Sequence, residues 1–101
     1  MRRAYLIALV AGSVGFSGAA WGAGDVAAGK EKSAACAMCH GPDGQGTQMA
    51  PKLAGADPAK FVQALEDYKS GKRDNAMMKA QVAALSTDDE ANLAAYYASL
   101  K

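Results

Sequence analysis

Cys36, Cys39 and His40 are the residues whose types and spacing are best suited to chemistry. The stretch Cys36-Ala37-Met38-Cys39-His40 reads C-x-x-C-H. That pattern suits covalent attachment of a c-type haem. Each thiol adds across one vinyl group, and two intervening residues set the sulfurs about as far apart as the two vinyls. The histidine follows directly and lies over the iron as its proximal ligand. Three other readings compete. Half of a zinc site is one, but Cys36 and Cys39 are the only cysteines and His40 the only histidine. That leaves three ligands within five residues, where structural zinc takes four from two separated pairs. A thioredoxin-like redox pair needs a βαβ setting, and the sequence shows no strand pattern. A plain disulfide across the short loop is the third. An export signal at the start of the chain favours haem attachment over all of them.

A haem bound only by His40 leaves its iron open to small ligands, whereas a thioether on the other face closes it and raises the potential. Met38 lies inside the motif and cannot reach that face. Met49 follows His40 by nine residues, on a loop assigned to the histidine side. Met77 and Met78 lie in the polar stretch Lys72-Arg73-Asp74-Asn75-Ala76-Met77-Met78, far enough along the chain to wrap round the group. The residues alone leave these two open, and a buried methionine is also ordinary core filler. A proximal histidine usually donates its other ring N–H to a carbonyl, which fixes the tautomer. The Pro51 carbonyl is the candidate acceptor, and Leu53 the candidate apolar contact on the haem face.

The elements that must position these groups read as helices. The first begins at Asp25 as N-cap and runs through Lys30, Lys32 and Ala35 into the motif. Gly41-Pro42-Asp43-Gly44-Gln45-Gly46 stops it just after His40. Asp57-Pro58 opens a second helix, with proline at its first position, and Ser70-Gly71 ends it. Phe61, Leu65 and Tyr68 fall on one face of that helix, widened by Val62 and Ala64. A short helical run is expected from Lys79 to Leu85. The last helix starts at Ser86-Thr87-Asp88-Asp89-Glu90. Thr87 with Glu90 fits a capping box, and Ser86 with Asp89 is the alternative. Leu93, Tyr96, Tyr97 and Leu100 line that helix.

The chain has 101 residues, enough for one small domain. Residues 1–22 read as a secretory signal: Arg2 and Arg3, an apolar run from Ala4 to Ala11, then Ala20-Trp21-Gly22 with small residues before a cleavage site. The alternative is a retained anchor, for which the apolar stretch is short and Gly-rich. Either way the domain, residues 23–101, leaves the cytoplasm. Without the leader there are 9 basic and 10 acidic residues, so nothing suggests a nucleic-acid partner. A mature domain of about 80 residues has a thin core of its own, and a covalent haem adds apolar surface to pack on.

The mature chain resembles a class I c-type cytochrome of the small bacterial single-haem kind. The resemblance rests on Gly24-Asp25, Gly29-Lys30, Cys36, Cys39, His40 and Gly41, then Ala50-Pro51-Lys52-Leu53-Ala54-Gly55. It continues through Tyr68-Lys69-Ser70-Gly71-Lys72-Arg73, Met78, Leu85-Ser86 and Leu93-Ala94-Ala95-Tyr96-Tyr97. The pattern is similar to that of each half of the family's dihaem members. There the distal methionine precedes the Leu of the Leu-Ser pair by seven residues, which implies Met78 rather than Met77. The resemblance also implies that the first and last helices pack together near the haem edge, which gives Gly29 its reason. Ser33 departs from the pattern, standing where a larger apolar residue is common, so a looser contact is expected there.

The expectation is therefore an all-α cytochrome c fold of four to five short helices around one covalent haem c and its iron. The function implied is a periplasmic one-electron carrier, not an enzyme, with His40 and Met78 as axial ligands. Donor and acceptor are redox proteins; no small-molecule substrate is expected, and membrane contact is transient or through a retained leader. Lys52, Lys69, Lys72, Arg73 and Lys79 form a candidate basic docking rim, against the plainer reading of solvated charge. The alternatives are a haem subunit of a larger periplasmic oxidoreductase, and an enzyme or sensor with an open sixth site.

Overall fold

The computed structural model describes residues 24–100, and the expected leader lies outside them. Five helices follow in order: α1 (Val26–Lys32), α2 (Ala34–His40), α3 (Pro58–Ser70), α4 (Ala76–Val82) and α5 (Thr87–Ser99). No strand occurs among the described residues, so the all-α expectation holds. No helix among them is long and apolar enough to cross a membrane.

The first helix is not continuous as expected. It breaks at Ser33, whose hydroxyl donates to the Lys30 carbonyl at 2.7 Å, while its N–H is shared between Gly29 O and Lys30 O. A serine that bonds its own helix backbone competes with the regular ladder and bends it. Ser33 is buried, so this departure from the family pattern is a satisfied polar contact rather than a loose one. Asp25 caps α1 by accepting from the N–H groups of Ala27 and Ala28. Asp57 caps α3 by accepting from Lys60 N, with Pro58 in the first turn.

The capping box of α5 is the alternative pairing rather than the first. Ser86 accepts from the Asp89 N–H, and the Asp89 carboxylate accepts from the Ser86 N–H, both at 3.0 Å. Aspartate reaches back as well as glutamate would, and it leaves Glu90 to turn inward.

Helices α1 and α5 cross at close range. A side chain at Gly29 would run into the Asn92 carbonyl and stand 2.8 Å from Tyr96 Cβ. Only a residue without Cβ lets the two helices approach that closely. The crossing is locked at its end by Asp25 N–H donating to Asn92 Oδ1 at 2.8 Å. Phe61 and Leu65 of α3, Val82 of α4, and Leu93, Ala94, Tyr96 and Tyr97 of α5 form the buried core. The Tyr97 ring lies 5.6 Å from Phe61 and 5.0 Å from Tyr96, centroid to centroid, in tilted contacts. Tilted pairs of this kind suit the ring quadrupoles.

Candidate functional site

The sequence of α2 dictates where its chemistry emerges. Cys36, Cys39 and His40 occupy the last turns of a seven-residue helix that ends at His40, because Gly41 takes φ +99°, a conformation other residues avoid. From that end the loop 41–57 folds back on the helix. Gly46 N–H donates to His40 O at 2.7 Å, and Leu53 and Ala54 N–H both donate to Gly44 O. Thr47 Oγ1 donates to the Cys39 carbonyl at 2.5 Å, and Gly55 N–H donates to the Tyr97 carbonyl on α5. Thr47 was not legible as a site residue. The only signal was a Thr in a Gly-rich loop, where its hydroxyl bonds nearby backbone.

These bonds bring the Pro51 carbonyl to 2.6 Å from His40 Nδ1. A carbonyl oxygen only accepts, so Nδ1 carries a proton, and in the neutral ring the lone pair is the one on Nε2. His40 itself is buried. A neutral imidazole fixed in that tautomer is prepared to ligate a metal.

Beyond these residues lies a cleft of about 470 Å3. Cys36, Cys39, His40, Pro51 and Leu53 line it from one side of the sequence motif, and Met77 and Met78 from α4. Its remaining walls are largely apolar, with Phe61, Leu65, Val82, Leu85 and Leu93 among them. A cleft of this size and lining takes a large apolar ligand with few polar contacts. Burial pushes the Cys36 thiol up, opposed by a hydrogen bond with Tyr97. Burial likewise pushes the Tyr97 hydroxyl well above its ordinary value. Both cysteines are free thiols. Two thiols, a tautomer-fixed imidazole and an apolar cleft fit a covalently held haem.

The methionines sit differently from expectation. Met77 and Met78 are not in a loop preceding a helix; they lie in the first turn of α4, which begins at Ala76, three residues before the expected start at Lys79. Asn75 is the missed signal, since its side chain accepts from Met78 N–H at 3.0 Å and caps the helix. Met78 is half-buried and packs on the core, while Met77 is 62% exposed. Met38 is 81% exposed and does not line the cleft. Met49 lines the cleft but is 72% exposed.

The proposed basic rim loses a member. Lys69 turns inward onto buried Glu90, 2.6 Å away, and is not a free surface charge. Arg73 stacks on Tyr68, 5.2 Å from its ring centroid. Lys52, Lys72 and Lys79 remain exposed.

The Cytochrome c family profile matches residues 26–101. The chain is 42% identical over 90 residues to cytochrome c4 of Pseudomonas aeruginosa, covering 88% of this chain and 45% of that one. It is 40% identical over 81 residues to cytochrome c-554(548) of Halomonas halodenitrificans, covering 76% of this chain and 98% of the other. Among solved structures, the thiosulfate dehydrogenase TsdBA from Marichromatium purpuratum aligns over 75% of this chain and 19% of its own. The TM-score is 0.69 at 31% identity. The chain spans about half the length of the cytochrome c4 it matches. The fold and the cleft define a haem-binding domain, and the chain belongs to the cytochrome c family. It carries one haem c with its iron.

Proposed function

We propose that this chain carries single electrons between periplasmic redox proteins, with its haem held by Cys36 and Cys39 and ligated by His40 and Met78. The observation that carries the reading is the convergence on one cleft of both thiols, His40 with its Nδ1 proton committed to Pro51, and Met78 half-buried on the opposite element. The haem supplies the Fe(III)/Fe(II) couple.

The protein's residues do the rest. The Cys36 and Cys39 sulfurs anchor the group at the end of α2. Pro51 holds His40 in the tautomer that offers Nε2. Met78, rather than Met77, supplies the thioether, because the Asn75 cap and core packing fix Met78 while Met77 lies mostly in solvent. The apolar walls exclude water and favour the less charged site. The leader, residues 1–22, delivers the domain to the compartment where such haems are attached.

A second reading is favoured by the likeness to part of a thiosulfate dehydrogenase. In it the chain passes electrons as a subunit bound to a catalytic partner. Co-purification separates the two readings. The decisive test of the first is an optical spectrum of oxidised and reduced protein produced with haem-maturation machinery. A low-spin reduced spectrum, with a weak far-red band when oxidised, is expected. A high-spin spectrum with ready carbon monoxide binding would sink the His40/Met78 assignment.

A further inference from the structure

Glu90 is the most buried charged residue described, at 1% exposure, and both of its carboxylate oxygens are buried without a hydrogen-bond partner. It stands in the first turns of α5, one helical turn before Leu93, which lines the cleft. An unpaired buried carboxylate is costly, and one residue answers it. Lys69, in the last turn of α3, places Nζ 2.6 Å from Glu90 Oε2 and donates to the Leu85 carbonyl at 2.7 Å. Glu66, one turn earlier on α3, lies 3.7 Å from the same ammonium. Lys69 thus joins three elements: α3, the α4–α5 connection and α5.

The joint matters because of what it holds. Helix α4 is seven residues long, too short to be stable alone. Its main helix neighbour is α3. The Asn75 cap fixes its first turn, and Leu85 N–H donates to Val82 O just past its end. Leu85 and Val82 line the cleft alongside Met77 and Met78. The Leu85 carbonyl is the point at which the end of that wall is tied down.

We propose that Lys69 and Glu90 form a clasp that fixes the Leu85 carbonyl and so holds α4 as the closed wall of the haem cleft. Lys69 is a positioning residue: it acts through Leu85 and does not line the cleft itself. Glu90 keeps Lys69 turned inward, where a free lysine head would go to water. Burial pushes the Glu90 carboxyl up, Glu66 adds to that, and Lys69 opposes it. The Glu90 carboxylate beside it in turn holds the Lys69 ammonium above its ordinary value. These two acidic groups and the one ammonium are the charges that meet at the joint. The bearing of the clasp on ligation rests on Met78 as the distal ligand; its bearing on α4 does not.

The test uses the haem-loaded full chain and the double variant Lys69→Met/Glu90→Leu. Replacing a buried ion pair by apolar residues of similar volume is commonly neutral for stability, whereas removing one partner is not. The variant therefore removes the tie to Leu85 without leaving a bare charge. Two readouts are taken: amide hydrogen exchange over residues 76–85 against α1 and α5, and imidazole binding to the oxidised iron. Exchange over 76–85 should accelerate about tenfold with α1 and α5 unchanged, and imidazole affinity should rise by a similar factor, as fits loss of one charge-assisted hydrogen bond. Unchanged exchange over 76–85, or equal acceleration everywhere, overturns the clasp. Local acceleration with unchanged imidazole affinity overturns its bearing on the site. If the double variant does not load haem, Glu90→Gln carries the test. Being isosteric and still an acceptor, it should accelerate exchange over 76–85 by about threefold, and no local change would overturn the proposal. A wild-type protein that binds imidazole as readily as Met78→Ala would sink the ligation reading and leave the exchange result to judge the clasp.

Discussion

The Pro51 carbonyl oxygen stands 2.6 Å from His40 Nδ1, eleven residues back along the chain. The acceptor is main chain, so the bond depends on the loop path rather than on the proline ring. Pro51→Ala should keep the Nδ1 proton hydrogen-bonded while releasing unfolded-chain entropy, at a cost of about 0.5–1 kcal/mol. Proton NMR of His40 together with denaturant unfolding checks both halves. Loss of the protected Nδ1 resonance would show that the ring itself holds the loop.

Met78 and Met77 are neighbours in one helical turn with different surroundings. Met78→Ala should abolish the weak far-red band of the oxidised protein and open the iron to carbon monoxide when reduced. Met77→Ala should leave both unchanged, since its side chain is mostly in solvent. The reverse pattern in the optical spectra would exchange the two assignments.

Gly29→Ala sets two effects against each other. Alanine favours an isolated helix by up to about 1 kcal/mol. The new methyl would meet the Asn92 carbonyl, which is backbone and cannot swing aside. The clash should win, with a net loss of about 2 kcal/mol, read as a lower denaturant midpoint at unchanged slope.

The α5 capping box makes an acid-side prediction. The Ser86 backbone N–H holds the Asp89 carboxyl below its ordinary range, helped by the Ser86 hydroxyl and by Lys32, 3.4 Å away. Its folded value is depressed, so its contribution is present above the unfolded value and is lost as pH falls through the folded one. Asp89→Asn should therefore flatten the decline of stability below about pH 4. Ser86→Ala, which removes the other half of the box, should cost about 1 kcal/mol at neutral pH. Thermal unfolding across a pH series reads both.

Haem removal should be severe. Cys36→Ala/Cys39→Ala leaves the walls of a 470 Å3 cleft without what they pack on. A domain of about 80 residues has little core to spare. Circular dichroism should show reduced helix and no cooperative melt; a sharp melt would mean the helices stand without the group.

Much of the fold and of the site is legible in the sequence. The motif, the Gly41 stop, the Asp57-Pro58 start and the aromatic face of α3 all act over a few residues, where sequence spacing and geometry are nearly the same thing. The errors share one cause. Asn75 reads as one more polar residue in the sequence, which puts Met77 and Met78 in a loop, but its side chain caps α4. Thr87-Glu90 and Ser86-Asp89 are both acceptable boxes locally. The choice is made by Lys69, which needs Glu90 inside, and Lys69 is 21 positions away in sequence. No local pattern shows a lysine turned inward either, so by sequence alone Lys69 belongs with a surface rim.

The lock between Asp25 and Asn92 joins groups 67 positions apart. Drawing together ends that far apart costs roughly 4 kcal/mol of chain entropy before any contact repays it. The seam between α1 and α5 is therefore a ring closure. Its long-range contacts weigh against rapid folding, and neither terminal helix can peel away without undoing the surface the other is packed on. Trimming into α1 or into α5 should then be felt at both.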